Sequence, residues 1–283
     1  MEINAEQVRE LREKSGAGIM DCKRALRENS GNLDQALDSL RRQGVIKAGK
    51  KAGRETQEGL VEISLSEDGQ TAGMVEVNCE TDFVARTDPF RDFLTQLARL
   101  AVSRKVTTLP DLMRERMKDG TVEESLQGLI ARLGENMVVR RVAVVRTERP
   151  DEEKIGSYVH AGSKIGVLVR ARGNRLSPEV VREVAMHIAA MHPVYIDRRG
   201  VPEGVVAKER DFLKSSTEIT GKPTAIVEKI IEGKLTRYFS DLCLLEQPFV
   251  KDASGKKTVG SFLKGCDPAA EILEMVRYQV GSA

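Results

Sequence analysis

Two strands followed by an amphipathic helix form a pattern that occurs twice in this chain and constrains its fold more than any other feature. In the first copy, apolar and polar residues alternate over residues 61–65, Asp68-Gly69 favours a tight turn, and residues 74–79 run back. The helix that follows has apolar residues at intervals of three and four positions: Phe90, Phe93, Leu94, Leu97, Leu100 and Ala101. A weaker helix around residues 122–130 and a third strand at 137–146 complete this unit.

The second copy repeats this order. Residues 155–159 and 165–169 are predicted strands on either side of a turn at residues 161–163, and a helix begins at Ser177-Pro178. The prolines at the two helix starts, Pro89 and Pro178, lie 89 positions apart. The pattern therefore predicts an α+β protein whose core consists of two related subdomains with antiparallel sheets.

The residues before the first copy are predicted to form a small three-helix domain. Apolar residues recur there at helical spacing, and Asn4 with Gln7 resembles a capping box. Residues 47–54 (KAGKKAGR) then combine small residues with cations and present no apolar face. They fit a linker crossed by few contacts, or a basic strip that binds an acidic partner, and these two interpretations are compatible.

The region after the second copy is predicted to be mostly helical. Helical stretches on either side of Gly221-Lys222-Pro223 indicate an antiparallel hairpin that projects as an arm. Residues 243–245 and 249–250 are predicted strands, and the apolar spacing within residues 269–278 indicates a last helix. The predicted units are residues 1–46 (three-helix domain), 47–58 (basic linker), 59–150 (first subdomain), 151–200 with 241–265 (second subdomain), 201–240 (helical-hairpin arm) and 266–283 (C-terminal helical module).

The composition argues against several classes of protein. No apolar stretch is long enough to span a membrane, and the first residues resemble neither a signal peptide nor a transit peptide, so a cytoplasmic location is expected. The net charge is only +2, which argues against a protein built mainly to hold nucleic acid. The four cysteines form no Cys-x-x-Cys pair, and His187 and His192 lack the spacing of zinc ligands. We therefore expect no disulfide, no resident metal and no cofactor.

Motifs for phosphate binding and nucleophilic catalysis are absent from the sequence. It contains no Gly-x-x-x-x-Gly-Lys-Ser/Thr loop, no Gly-x-Gly-x-x-Gly after a strand, and no Gly-x-Ser-x-Gly elbow. These absences favour a protein that acts by binding another protein rather than an enzyme.

Residues 78–86 (NCETDFVAR) are the most unusual segment, because they place an aromatic side chain beside two carboxylates in a loop that follows a strand. Phe83 could fold back into the core while Asp82 caps the next turn. Alternatively, Phe83 could be exposed and anchor an interface with a partner. The residues alone leave both interpretations open.

Four stretches of the chain match one known family in sequence and in order. They are residues 11–23 (LREKSGAGIMDCK), 77–84 (VNCETDFV), 185–190 (AMHIAA) and 244–250 (LLEQPFV). The chain therefore closely resembles the bacterial elongation factor Ts family, the guanine-nucleotide exchange factors of elongation factor Tu. The matching stretches extend over almost the whole chain.

The resemblance implies a fold, a partner and an activity. The implied fold has an N-terminal domain like ubiquitin-associated domains, a core of two α+β subdomains, a helical-hairpin (coiled-coil) arm and a C-terminal helical module. The implied partner is elongation factor Tu, in its GDP-bound and nucleotide-free forms, and the implied activity is the exchange of GDP for GTP without covalent chemistry. No membrane, nucleic acid or small-molecule substrate is implied.

The resemblance also assigns roles to individual residues. In this family a Thr-Asp-Phe-Val motif dislodges Mg²⁺ from the partner, and the motif here consists of Thr81, Asp82, Phe83 and Val84. The residues implied to contact the partner are Met20, Asp21, Cys22, Lys23, Lys51, Leu133, Gly134 and His160. The turn over residues 160–166 (HAGSKIG) departs from the usual His-Gly-Gly-Arg-Ile-Gly of the family.

Two other functions fit single features of the sequence. The basic residues 47–54 could bind RNA, although the small net charge and the lack of an aromatic platform argue against this function. Glu80 and Asp82 could serve a hydrolase, although they lie only two positions apart on a predicted loop.

Overall fold

Two three-stranded antiparallel sheets lie at the centre of the molecule. The computed structural model describes residues 3–118, 120–215 and 223–282. Helices and strands are mixed along this part of the chain, so the prediction of an α+β fold is confirmed. None of the helices described there is long and apolar enough to cross a membrane.

The chain begins with three helices, α1 (Ala5–Ser15), α2 (Ile19–Glu28) and α3 (Leu33–Gly49), as predicted. Asn4 and Gln7 form the predicted capping box at the start of α1. The helices enclose a small apolar cluster that contains Leu11, Cys22, Ala25, Leu26 and Ala36. We call these three helices the N-terminal module. So small an interior contributes little stability by itself.

The N-terminal module is joined to the rest of the molecule by the end of α3. The prediction of a linker from residue 47 is wrong at its start, because α3 continues to Gly49 and Ala48 is buried in the core of the first subdomain. A Cβ atom on Gly44 would lie 3.5 Å from the Cβ atom of Ala131, which belongs to α7 (Val122–Leu133). The expectation that few contacts cross this boundary is therefore wrong.

The first sheet has the strand order β1-β2-β5 and contains the predicted hairpin. β1 (Glu58–Leu65) pairs with β2 (Thr71–Cys79), and β5 (Met137–Arg146) pairs with the other edge of β2. The amphipathic helix α5 (Asp88–Arg104) buries its apolar face against this sheet. The shorter elements of this subdomain are α4 (Asp82–Ala85), α6 (Leu109–Arg114), β3 (Arg116–Met117) and β4 (Gly120–Thr121).

The second sheet has the order β6-β7-β8. β6 (Glu153–Val159) and β7 (Ile165–Arg172) form the second predicted hairpin, and β8 (Glu271–Gln279) pairs with the other edge of β7. α8 (Pro178–Met191) packs against the outer face of this sheet. In both sheets, therefore, the second strand of a hairpin also pairs with a strand from much later in the chain.

The inner faces of the two sheets pack against each other. Val61, Met74 and Val145 of the first sheet form one apolar cluster with Ile155, Leu168 and Tyr278 of the second. The sheets approach most closely at Gly166, where a Cβ atom would lie 2.5 Å from Val61 Cγ1 and 2.8 Å from Met74 Sδ. The core is thus layered as helix, sheet, sheet and helix.

The C-terminal residues form strand β8, so the prediction of a helical module over residues 266–283 is wrong. The pairing of β7 with β8 shifts register between Arg170 and Ala171, which leaves Leu273 as an extra residue on β8. Because of this bulge, Ile272 and Met275 both contact the core on the α8 side. An unbroken strand would place residues three apart on opposite faces. The bulge therefore gives this strand the three-residue spacing of a helix.

The arm consists of α9 (Glu203–Lys214) and α10 (Thr224–Leu242). Arg198 pairs with Glu246 at 2.5 Å, and Arg210 pairs with Glu232 at 2.6 Å, so the two helices run in opposite directions. Val201, Leu213, Ile231, Leu235, Phe239 and Cys243 form the apolar cluster between them. The turn predicted at Gly221-Lys222 lies outside the described residues.

The segment after the arm is irregular, and the prediction of strands at residues 243–245 and 249–250 is wrong. Leu244–Glu246 forms a 3₁₀ turn, and the strand-like pairing is limited to single bridges between Tyr195 and Cys243 and between Pro248 and Thr258. A short helix, α11 (Val259–Cys266), follows and buries Val259 and Leu263 in the second core.

Candidate functional site

α4 places one phenylalanine on the surface at the end of the first sheet. β2 ends at Cys79, and Thr81 is the N-cap of α4. Val84 and Ala85 are buried, whereas Phe83 is 78% exposed. Of the two interpretations of Phe83, the exposed one is therefore correct. Residues 78–86, which were expected to include a loop after the strand, contain this turn of helix.

Local contacts explain why so short a segment is helical. The hydroxyl oxygen of Thr81 accepts a hydrogen bond from the Val84 N–H at 3.5 Å. The Asp82 carboxylate pairs with Arg86 at 2.7 Å, one turn later on the same face. The cap is therefore Thr81 rather than Asp82, and Asp82 stabilises the turn through its side chain.

Two glutamates connect the start of α4 to the loop that follows α7. Glu135 accepts hydrogen bonds from the Thr81 N–H at 3.0 Å and from the Thr81 hydroxyl at 2.6 Å. In the opposite direction, Glu80 accepts a bond from the Asn136 N–H at 2.6 Å. Charged acceptors make such bonds stronger than neutral ones. The start of α4 and the loop after α7 are therefore joined by two pairs of residues, Thr81 with Glu135 and Glu80 with Asn136.

The same loop also holds the linker that follows the N-terminal module. We call residues 133–136 the hub loop. The Lys51 ammonium donates to the carbonyl oxygen of Gly134, and Asn136 Nδ2 donates to the carbonyl oxygen of Arg54 at 2.8 Å. Gly134 has a φ of +84°, the left-handed conformation that ends α7. Leu133 packs against the first core.

α2 exposes a separate group of the predicted contact residues. Met20 is 75% exposed and Lys23 is exposed beside it, whereas Asp21 pairs with Lys47 at 3.0 Å and with Arg24. Cys22 is fully buried. The assignment of its side chain to the contact surface is therefore wrong, because it packs inside the N-terminal module.

His160 lies in an exposed turn that touches the first sheet. Its Nδ1 is 3.1 Å from the Tyr158 hydroxyl. Within the turn, the Ser163 carbonyl accepts a bond from the Val61 N–H at 2.7 Å, and Lys164 donates to the Gly59 carbonyl at 2.9 Å. These contacts are near the start of β1, which pairs with the end of β2. The His160 turn therefore lies at the same end of the first hairpin as α4.

Two ionisable side chains of this region each keep one protonation state near neutral pH. Burial raises the pKa of the Cys79 thiol to about 12, so the thiol stays protonated and is a poor nucleophile. The pKa of Glu80 is lowered by the hydrogen bond from the Asn136 N–H and by nearby Arg54, so this carboxyl is ionised near neutral pH. Among the described residues, no group of three or more His, Cys, Asp or Glu side chains could hold a metal ion.

The structure thus brings Lys51, Leu133 and Gly134 close to the Thr81–Val84 segment, while Met20 and Lys23 lie on α2. Sequence reasoning missed Glu135 and Asn136, which hold these segments together, and it did not foresee that the Arg54 carbonyl binds Asn136. The available signal was slight, because Gly134 and the residues after it indicate only the end of a helix. Their partners lie 54 to 82 positions away in the chain.

Comparison with known proteins identifies one family. The sequence profile of the family described as Elongation factor TS matches residues 80–282. Elongation factor Ts of Nautilia profundicola is 41% identical over 288 residues, which cover 99% of this chain and 93% of that protein. The elongation factors Ts of Clostridium botulinum (strain Eklund 17B) and Methylococcus capsulatus are each 42% identical, with the same coverage.

Proposed function

Because this chain belongs to the elongation factor Ts family of translation elongation factors, we propose that it is the guanine-nucleotide exchange factor of an elongation factor Tu. In this proposal it binds elongation factor Tu with GDP, promotes the release of GDP, and leaves when GTP has entered. Protein synthesis of this kind takes place in the cytoplasm, which is the proposed location.

The exposure of Phe83 is the observation on which this proposal rests. A side chain that is 78% exposed beside a buried Val84 and Ala85 forms an apolar projection on a fixed base. Exposed aromatic residues of this kind are frequent anchors of protein interfaces. In the proposed complex Phe83 inserts between elements of the partner and shifts the ligands of its Mg²⁺ ion.

Displacement of Mg²⁺ explains how such a contact would weaken nucleotide binding. The ion bridges phosphate oxygens and is the largest local positive charge at a nucleotide site, so its loss removes much of the attraction for GDP. Thr81, Asp82 and Val84 support Phe83 in this role, and Asp82 offers carboxylate oxygens to backbone N–H groups that the shift exposes.

Thermodynamic linkage sets the scale of the effect. A factor that binds the nucleotide-free partner more tightly than the GDP form must weaken GDP binding by the same ratio. Each tenfold of this ratio corresponds to about 1.4 kcal/mol. Tighter binding of the nucleotide-free partner is thus enough to weaken GDP binding, and this chain does not have to make or break a covalent bond.

Two further surfaces fit contacts that retain the partner. The exposed side chains of Met20 and Lys23 on α2 would form a docking surface of mixed apolar and basic character. His160, in the exposed turn between β6 and β7, would form a second contact at the same end of the first hairpin as Phe83. In this proposal, Lys51, Leu133 and Gly134 line the region between these surfaces.

The Phe83→Ala variant tests the proposal. Because Phe83 is exposed, we expect the melting temperature to change little, whereas Phe90→Ala, at a fully buried site, should cost about 3–5 kcal/mol. The stimulated release of labelled GDP from elongation factor Tu should fall sharply in Phe83→Ala, while binding to the partner persists in part.

Removal of magnesium provides the control. With Mg²⁺ chelated, the parent and Phe83→Ala should differ much less, because the step promoted by Phe83 has been carried out chemically. Parental release of GDP by a folded Phe83→Ala protein in the presence of Mg²⁺ would contradict the proposed function.

A further inference from the structure

The Thr81 side chain is shared between two partners, and only one arrangement of its hydrogen satisfies both. The hydroxyl has one hydrogen and two lone pairs. It lies 2.6 Å from a carboxylate oxygen of Glu135, which can only accept, and 3.5 Å from the Val84 N–H, which can only donate. The hydrogen must therefore point to Glu135, and this leaves a lone pair for the cap of α4.

From this arrangement we propose that Glu135 is a positioning residue for Phe83. Glu135 holds the hydroxyl and the N–H of Thr81 together, and it thereby fixes the turn of helix that carries Phe83. The proposal rests on the proposed function, because Phe83 must act on the partner for its position to matter.

α4 needs such support because it is short. An isolated helix of four residues is not stable in water, since the cost of fixing the first turn is not recovered by further hydrogen bonds. Phe83 has few contacts of its own, being 78% exposed. A side chain that is already fixed in its binding orientation loses less conformational entropy when it binds.

Glu135 is itself fixed by the contacts of the hub loop. The residue before it is held by Lys51 through the Gly134 carbonyl, and the residue after it is held by Glu80 and by the Arg54 carbonyl. The carboxylate is therefore presented to Thr81 by a loop that is anchored on both sides. Through Lys51 and Arg54, the same loop also connects the linker to the start of α4.

The Glu135→Gln variant tests this inference with almost no change of shape. The amide NH₂ cannot accept the hydrogen of the Thr81 hydroxyl, so the hydrogen bond from this hydroxyl to a charged acceptor is lost, and at most a weaker, neutral N–H···O bond replaces it. We expect the rate of GDP release at saturating factor to fall about tenfold, which is the ratio for a bond of about 1.4 kcal/mol. The concentration for half-maximal release should change less than about threefold, because α2 and His160 remain intact.

Two controls separate positioning from other roles. Glu123→Gln removes a carboxylate from the exposed face of α7, away from Thr81, and should release GDP at the parental rate. In a Phe83→Ala background, Glu135→Gln should cause no additional loss, because its effect passes through Phe83. Hydrogen exchange at the amides of residues 81–86 should be faster in Glu135→Gln than in Glu123→Gln.

A folded Glu135→Gln protein with the parental maximal rate would overturn the inference, and so would a further tenfold loss in the Phe83→Ala background. If Glu135→Gln does not fold, Glu135→Asp shortens the side chain that reaches Thr81, leaves the Thr81 cap of α4 in place, and is assessed by the same measurements. If Phe83→Ala alone releases GDP like the parent, the proposed function fails. If Phe83→Ala is impaired and Glu135→Gln is not, only the positioning role fails.

Discussion

At the residue scale, His187 has a single protonation state that fits its surroundings. It is fully buried in α8, where its Nδ1 accepts a hydrogen bond from the Val250 N–H at 3.1 Å. The ring proton must then be on Nε2, which lies 2.9 Å from the side-chain oxygen of Gln247. Gln247 in turn donates to the Asp241 carbonyl at 2.8 Å. A neutral imidazole thus connects α8 to the segment that follows the arm.

This arrangement predicts a loss of stability in mild acid. Burial lowers the pKa of His187 from its ordinary value of 6.5, while the hydrogen bond to Gln247 partly opposes the shift. His187 therefore takes up a proton at a higher pH in the unfolded chain than in the folded chain. Its contribution to the free energy of unfolding is complete well above pH 6.5 and falls as the pH drops below that value. Between pH 7.5 and 5.5 the parent should lose more stability than His187→Gln, by no more than about 1.4 kcal/mol, the free energy of one pH unit below the ordinary pKa. Urea unfolding of both proteins at the two pH values measures this difference, and equal losses would contradict the assignment.

The sequence predicts some residues of the candidate site and not others for a physical reason. Phe83 stands out in the sequence because an aromatic residue next to carboxylates is unusual, but its exposure depends on how Val84 and Ala85 pack. Glu135 has no distinctive neighbours, and its bond to Thr81 joins positions 54 apart. Contacts of that kind depend on the tertiary structure, and a single sequence contains no periodic pattern that reports them.

At the element scale, regular segments were predicted well and irregular ones were not. α5 and α8 have long apolar stripes with a proline near the start. In the hairpin of β1 and β2, apolar and polar residues alternate in the first strand and a turn follows. Patterns within each segment are therefore enough to predict these elements. β8 was predicted as a helix because its bulge at Leu273 changes the spacing of buried residues. Residues 243–250 have no periodicity that distinguishes a 3₁₀ turn from a short strand.

The arm should be dispensable for the exchange step, as its place in the chain suggests. Replacement of residues 214–228 by a short Gly/Ser turn retains Ile231, Leu235 and Phe239 at the base of the arm, together with the pair Arg210–Glu232. Loop-closure entropy changes slowly with length, so the variant should fold and keep most of the melting temperature. Its stimulated release of GDP should be close to the parental rate. Complete loss of release in a variant that folds, as judged by circular dichroism, would show that the distal arm takes part.

At the scale of the whole molecule, the N-terminal module packs against the first subdomain and also carries the proposed docking surface on α2. Deletion of residues 1–54 uncovers the side of α7 that faces Gly44 and Ala48, and it removes the bonds of Lys51 and Arg54 to the hub loop. We expect the shortened protein to fold with a stability loss of about 1–3 kcal/mol and to lose most of its exchange activity.

The double variant Met20→Ala, Lys23→Ala separates these two roles. Both side chains are exposed, so the double variant should melt like the parent while it binds the partner more weakly. Thermal unfolding and partner binding of the deletion and of the double variant provide the comparison. A deletion protein that melts at the parental temperature would show that the contacts between α3 and α7 contribute no stability.

The long stretch of chain between β7 and its partner strand β8 has a consequence for synthesis on the ribosome. The first sheet has all its strands once Arg146 has been made, but the second sheet lacks its third strand until residues 271–279 emerge. Until then, Val276 and Tyr278 cannot cover their part of the apolar layer between the sheets. A chain interrupted before β8 therefore displays an unpaired strand edge on β7 and uncovered apolar surface, the features of chains that aggregate. Interrupted synthesis would thus leave a target for chaperones and proteases rather than a partly active factor.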